Sequence, residues 1–91
     1  MKKRIKVLYR RNLKMTDGKL SAQVAHACIG LRTAYPEVDW NNIIVVLKVS
    51  DNKFWEATRE HGTESDKSYL QSDWGLTELE MDTPTTFAYY E

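Results

Sequence analysis

Seven consecutive residues, Ile43-Ile44-Val45-Val46-Leu47-Lys48-Val49, constrain this chain's fold more than any others. The run is β-branched almost throughout and does not alternate with polar residues. Such a pattern is the mark of a central strand covered on both faces, because a sheet with one wet face alternates. The sequence therefore predicts a sheet with helices above and below it.

The neighbouring segments supply the rest of that architecture. Ile5, Val7 and Tyr9 alternate with Lys6, Leu8 and Arg10, which suits a strand with one face more buried than the other. At about 100° per residue, Leu20, Val24, Ala27, Cys28, Leu31 and Ala34 fall on one face, so a helix is expected from about Asp17 to Tyr35. Thr16 or Asp17 can cap its first amides, and Pro36 stops it. Pro36 to Asn42 reads as a linker with turn chemistry. Ser50 or Asp51 can cap a second helix from about Asn52 to His61, whose apolar stripe of Phe54, Ala57 and Thr58 is thin. A polar loop, Gly62 to Ser68, precedes two short strands near Tyr69–Gln71 and Thr85–Tyr89. The order strand–helix–strand–helix–strand–strand points to an α/β fold, a sandwich with a mixed sheet.

Ninety-one residues suit a single domain spanning residues 1–91. One cysteine, Cys28 on the apolar helix face, supports no disulfide framework and suits a reducing compartment. No apolar signal segment or membrane-length run is present, so a soluble, cytoplasmic protein is expected.

Zero net charge conceals a division. Residues 1–48 hold ten Lys/Arg and three Asp/Glu, and residues 49–91 hold three and ten. Lys2, Lys3, Arg4, Lys6, Arg10, Arg11 and Lys14 form a basic arm. It suits a polyanion such as RNA, whose counterions would be released on binding. Attraction between the two halves of one fold explains the division equally well.

Several site patterns are missing from the sequence: zinc-spaced Cys/His pairs, a phosphate-binding glycine loop, a nucleophile elbow. His26 and His61 have no ligand cluster, so no metal and no cofactor are expected. What remains is a polar stripe of Lys19, Gln23 and His26, within roughly 60° on the first helix, bordering its apolar face. Gly18-Lys19 opens that helix, where free amides and the dipole favour an anion or a developing oxyanion. A second cluster is Asp73-Trp74-Gly75-Leu76-Thr77-Glu78. It reads either as a turn projecting Asp73 and Thr77 toward one place, or as an Asx-turn with a solvent-facing threonine.

Three segments carry a family resemblance. Asn12-Leu13-Lys14-Met15-Thr16-Asp17-Gly18-Lys19-Leu20-Ser21-Ala22-Gln23-Val24-Ala25-His26-Ala27 resembles the first motif of the type 2 peptidyl-tRNA hydrolases, with Ser21 for an alanine. Asp73-Trp74-Gly75-Leu76-Thr77-Glu78 is similar to their Asp-Ala-Gly-x-Thr-Glu/Gln motif. Asp82-Thr83-Pro84-Thr85-Thr86-Phe87-Ala88 is similar to their closing segment. The resemblance implies a three-layer α/β/α sandwich with a four-stranded mixed sheet, and hydrolysis of the ester joining a peptide to tRNA. Lys19, Asp73, Thr77 and Thr85 are then the catalytic candidates. A carboxylate can activate water and an ammonium can stabilise an oxyanion, and a Lys19–Asp73 contact would align the two. Gly18, Gln23 and His26, with Arg10, Arg11 and Lys14 toward the phosphates, are the substrate-binding candidates. The family's tendency to dimerise implies a homodimer.

The chain departs from the family in three ways. Trp74 replaces a small residue, Asp82 replaces a glycine, and the segments around 36–42 and 61–68 look shortened. A binding protein on the same scaffold, without hydrolysis, is the rival reading; hydrolysis of another small ester or amide is a third.

Overall fold

Strand β1 (Lys3–Arg10) organises the sheet, pairing in parallel with β2 (Trp40–Val49) and antiparallel with β4 (Pro84–Tyr90). β4 pairs antiparallel with β3 (Ser68–Ser72) on its other side, giving the order β2-β1-β4-β3. Three strands thus run one way and β4 runs against them. The computed structural model describes residues 2–62, 67–73 and 83–91. The mixed four-stranded sheet expected from the sequence is present.

Two helices complete the fold, α1 (Asp17–Ala34) and α2 (Asp51–His61). Thr16 caps α1 by accepting from the Lys19 amide, and Ser50 caps α2 by accepting from the Lys53 amide, each at 3.3 Å. At the far end of α1, Arg32 donates to the Pro36 and Val38 carbonyls and turns the chain away. The β1-to-β2 connection steps one way across the sheet and the β2-to-β3 connection steps back. Right-handed crossovers then put the two helices on opposite faces. Packing agrees: Ile5, Val7, Ala88 and Tyr90 cluster with Ala27, Cys28 and Leu31 of α1, whereas Leu8, Phe87 and Tyr89 cluster with Phe54 of α2. Burial pushes the Cys28 thiol pKa up, as expected of a core thiol.

One helical glycine sets a close approach. A Cβ at Gly30 would lie 2.4 Å from Tyr69 Cε2, so glycine lets α1 settle onto β3. Ala34, expected on the apolar face, is exposed one turn beyond the last buried residue, Leu31.

The expectation for residues 43–49 is overturned. They form an edge strand, and Ile43, Ile44, Val46 and Leu47 are each 41–51% exposed. The reason is where the helices land: α1 lies chiefly over β3, β4 and β1, and α2 over β1 and β4, so β2 packs at its ends through Trp40 and Val49 while its middle is left largely uncovered. At its start β2 kinks, with Asn42 at φ 67° and the register slipping between Lys3 and Ile5. The central position belongs instead to β1 and β4, and Thr85 and Thr86 of β4 are fully buried.

Candidate active site at the start of helix α1

The parallel strands β1, β2 and β3 all end at the sheet edge where β4 begins. In α/β sheets, ligands bind beyond the carboxyl ends of such strands. Asp73 follows β3 directly and donates its amide to the Thr83 carbonyl at 2.8 Å, which fixes the base of the β3–β4 connection. The N-terminus of α1 reaches the same edge.

Lys19, in the first turn of α1, ion-pairs through Nζ with Asp73 Oδ1. Fifty-four positions separate the two residues, and their side chains are 11% and 2% exposed. Burial at this level is tolerated only because each charge meets the other. One turn along, Gln23 is also buried. The Thr85 hydroxyl lies 2.5 Å from Gln23 Oε1 and 3.1 Å from the Gln71 carbonyl, and the Thr86 hydroxyl donates to the Gln23 carbonyl at 3.3 Å. Gln71 in turn donates to the Ser72 carbonyl at 2.9 Å. No buried side-chain nitrogen or oxygen among the described residues lacks a partner. The Gln23 amide nitrogen, which has no partner there, therefore retains contact with solvent.

The other candidates divide. Among the described residues Gly18 faces open space, with nothing beyond its chain neighbours and the adjoining helix backbone within 4 Å of the position a methyl group would take there. His26 is exposed and forms no hydrogen bond or ion pair among the described residues. Thr77, with Trp74 and Asp82, lies outside the described residues.

The basic arm also divides. Arg10 binds Asp51 at 2.8 and 3.1 Å, donates to the Pro84 carbonyl at 2.9 Å, and stacks 5.5 Å from the Trp55 ring centre. The same guanidinium holds the Asp51 carboxyl below its ordinary range. Arg4 and Lys6 both pair with Glu91, whose pKa they lower, Arg4 more strongly. Attraction between the halves thus accounts for Arg4, Lys6 and Arg10. Arg11 and Lys14 are exposed on the loop entering α1, without a carboxylate partner among the described residues.

Sequence reasoning missed Thr86, Gln71, Gly30 and the structural work of Arg10. The one signal available was the pair of threonines inside an aromatic strand, a polar interruption that burial would have to satisfy.

The pattern of the family described as Peptidyl-tRNA hydrolase PTH2 matches residues 4–90. A peptidyl-tRNA hydrolase of Methanopyrus kandleri is 36% identical over 91 aligned positions, which cover 87% of this chain and 76% of that protein.

Proposed function

This chain belongs to the peptidyl-tRNA hydrolase PTH2 family, and on that premise we propose how its site cleaves peptidyl-tRNA. The observation that carries the reading is the Lys19–Asp73 pair, nearly buried at the strand ends beside the helix N-terminus. Asp73 orients a water and accepts its proton as the water oxygen attacks the ester carbonyl. The oxyanion that forms is stabilised by the Lys19 ammonium and by first-turn amides of α1, which have no helical partner. Collapse breaks the bond to the ribose oxygen, which takes from Asp73 the proton that came from water, releasing tRNA and the peptide acid, which ionises to solvent.

The remaining residues bind and orient. Gln23 presents its amide nitrogen to the substrate, and Thr85, wholly buried beneath it, is a positioning residue. Gly18 leaves room for the acyl group to approach the backbone. Arg11 and Lys14 meet phosphates of the acceptor end, while Arg10 anchors β1 to α2 and β4 and so holds their loop. Thr77 and His26 complete the substrate contacts in this reading. We place the protein in the cytoplasm, where its substrate arises, and as a homodimer. Among the described residues no helix is long and apolar enough to cross a membrane.

The test is release of the acyl group from N-acetyl-aminoacyl-tRNA by wild type, Lys19→Ala and Asp73→Asn. Wild-type release that falls at least about 100-fold in both variants, at unchanged circular dichroism, is expected. Salt-sensitive tRNA binding with no release by wild type would replace hydrolysis with the binding reading. Release unaffected by either substitution would move the site elsewhere.

A further inference from the structure

The Lys19–Asp73 pair is held from the far side of the sheet, and we propose that Asp51, at the start of α2, is a positioning residue for the reaction. It locks the Arg10 guanidinium, which in turn sets where Asp73 meets Lys19. The proposal rests on the hydrolysis reading above and extends it to a residue that touches no substrate.

Arg10 stands where both halves of the site are tied down. It is the last residue of β1, and its carbonyl accepts from the Leu13 amide at 3.3 Å, closing the turn that leads into α1 and Lys19. Its guanidinium donates to the Pro84 carbonyl at 2.9 Å. Pro84 opens β4, and the Thr83 carbonyl just before it accepts from the Asp73 amide at 2.8 Å. The backbone of Arg10 thus anchors the lysine side of the pair, and its side chain anchors the aspartate side.

The guanidinium can hold Pro84 in one place only if it is itself fixed. By strand alternation Arg10 lies on the same face of β1 as Leu8, the face that packs against α2. There Asp51, the first residue of α2, accepts from Nε and Nη2 at 3.1 and 2.8 Å. Two such parallel bonds fix the plane of a guanidinium as well as its position. Asp51 is fixed in its turn, because Ser50 caps α2 and the preceding Val49 carbonyl accepts from the Arg11 amide at 2.8 Å. The helix dipole favours a carboxylate at that end. Helix α2, on the face opposite Lys19, therefore holds Asp73 through Arg10.

The opposite end of the same two strands supplies the comparison. There Glu91, just past β4, pairs with Arg4 and Lys6 of β1. The Asp51 and Glu91 side chains are equally exposed, at 33% and 34%. Ion pairs that only stabilise would be interchangeable in their effect on the reaction. The Asp51 pair, however, reaches the segment that holds Asp73, and the Glu91 pair lies at the other end of the strands. Placement matters at this site, since a shift of about 1 Å in a reacting group can cost about 100-fold in rate. The phosphate contact expected of Arg10 from the sequence fits less well, because three of its N–H groups are already bonded inside the fold.

Steady-state kinetics on N-acetyl-aminoacyl-tRNA test the assignment. Asp51→Ala should lower kcat by at least about tenfold with KM held within about twofold. Arg10→Lys, which keeps the charge and loses the fork, should do the same. Glu91→Ala removes an ion pair of equal exposure and should change kcat by less than about twofold. In an Asp73→Asn background Asp51→Ala should add less than about twofold, because it acts through Asp73. Amide exchange followed by NMR gives a readout without substrate: the Asp73 amide should exchange at least about tenfold faster in Asp51→Ala and keep its protection in Glu91→Ala. Equal kcat losses in Asp51→Ala and Glu91→Ala would overturn the proposal, as would a full loss persisting in Asp73→Asn or unchanged Asp73 exchange. A rise in KM at constant kcat would also overturn it and return Arg10 to the phosphates. A wild type that releases nothing sinks the hydrolysis reading instead, and Asp73 exchange then still decides whether Asp51 holds that loop.

Discussion

Strands β2 and β4 exchange the roles their compositions suggest. β2 is apolar through most of its length, yet it stands at the edge with its isoleucines in water. β4, Pro84-Thr85-Thr86-Phe87-Ala88-Tyr89-Tyr90, carries two threonines and two tyrosines, yet six consecutive residues are buried. Topology decides burial here. A strand sandwiched between two others beneath two helices is buried whatever it contains, and its polar groups must then find partners. Thr85 and Thr86 find theirs in Gln23 and Gln71, which ties β4 to α1 beside the Lys19–Asp73 pair. The polar residues of β4 are thus satisfied inside the fold, whereas the apolar residues in the middle of β2 stay exposed at its edge.

The largest expected effect lies on the β4 side. Asp73→Asn should lower kcat/KM for acyl-tRNA by about 100- to 1,000-fold, and Lys19→Ala by a similar factor. The double variant should be little worse than either single one, since the two act as a unit. Asp73→Ala should in addition cost about 3 kcal/mol or more of stability, because it strands the Lys19 charge where its side chain is 11% exposed. Urea unfolding beside kinetics separates the two losses.

A reciprocal swap tests the comparison itself. Thr85→Val keeps the shape but leaves Gln23 Oε1 and the Gln71 carbonyl without their hydroxyl, at a cost of about 1–3 kcal/mol. As a positioning residue, Thr85 should also raise KM more than it lowers kcat, and Thr85→Ser should restore both. Val46→Thr on β2 should change monomer stability by less than about 0.5 kcal/mol. A tolerated Thr85→Val alongside a costly Val46→Thr would break the comparison.

How much of this was legible follows from what each element depends on. Helix α1 ran to within a residue of its expected ends, because cap, periodicity and Pro36 are local signals. The Lys19–Asp73 encounter was legible only through the family wording, since no spacing rule links residues 54 apart. The place of β2 was not legible, because a continuous apolar run does not say where the helices will settle, and here they settle over the other strands. Likewise the basic arm could not be resolved by counting charges, since only the fold brings Glu91 to Arg4 and Asp51 to Arg10.

Two glycines on one helix give intermediate effects of opposite sign. Gly30→Ala drives a methyl into the Tyr69 ring on β3, a collision with a half-buried side chain that should cost about 1–3 kcal/mol. Gly18→Ala meets nothing among the described residues, so relief of helix propensity should stabilise by up to about 1 kcal/mol. The same substitution should raise KM, because the space beside Gly18 is assigned to the acyl group. Increased stability with unchanged KM would remove Gly18 from the substrate site.

The smallest effect concerns acid stability, and it too separates the two strands. Asp51 and Glu91, which lock the two ends of β1 and β4, have folded pKa values below their ordinary 3.8 and 4.5, chiefly through Arg10 and Arg4. A carboxylate with a depressed folded pKa stabilises above its unfolded value and loses that contribution as pH falls through the folded one. Both groups remain about one-third exposed, so each contributes less than about 1 kcal/mol after screening. Wild-type stability should therefore decline as pH falls below about 4.5, and less steeply in Glu91→Gln or Asp51→Asn. β2 carries no acidic residue, so Val46→Thr should leave this pH dependence unchanged. A pH dependence altered as much by Val46→Thr as by Glu91→Gln would break the comparison between the two strands.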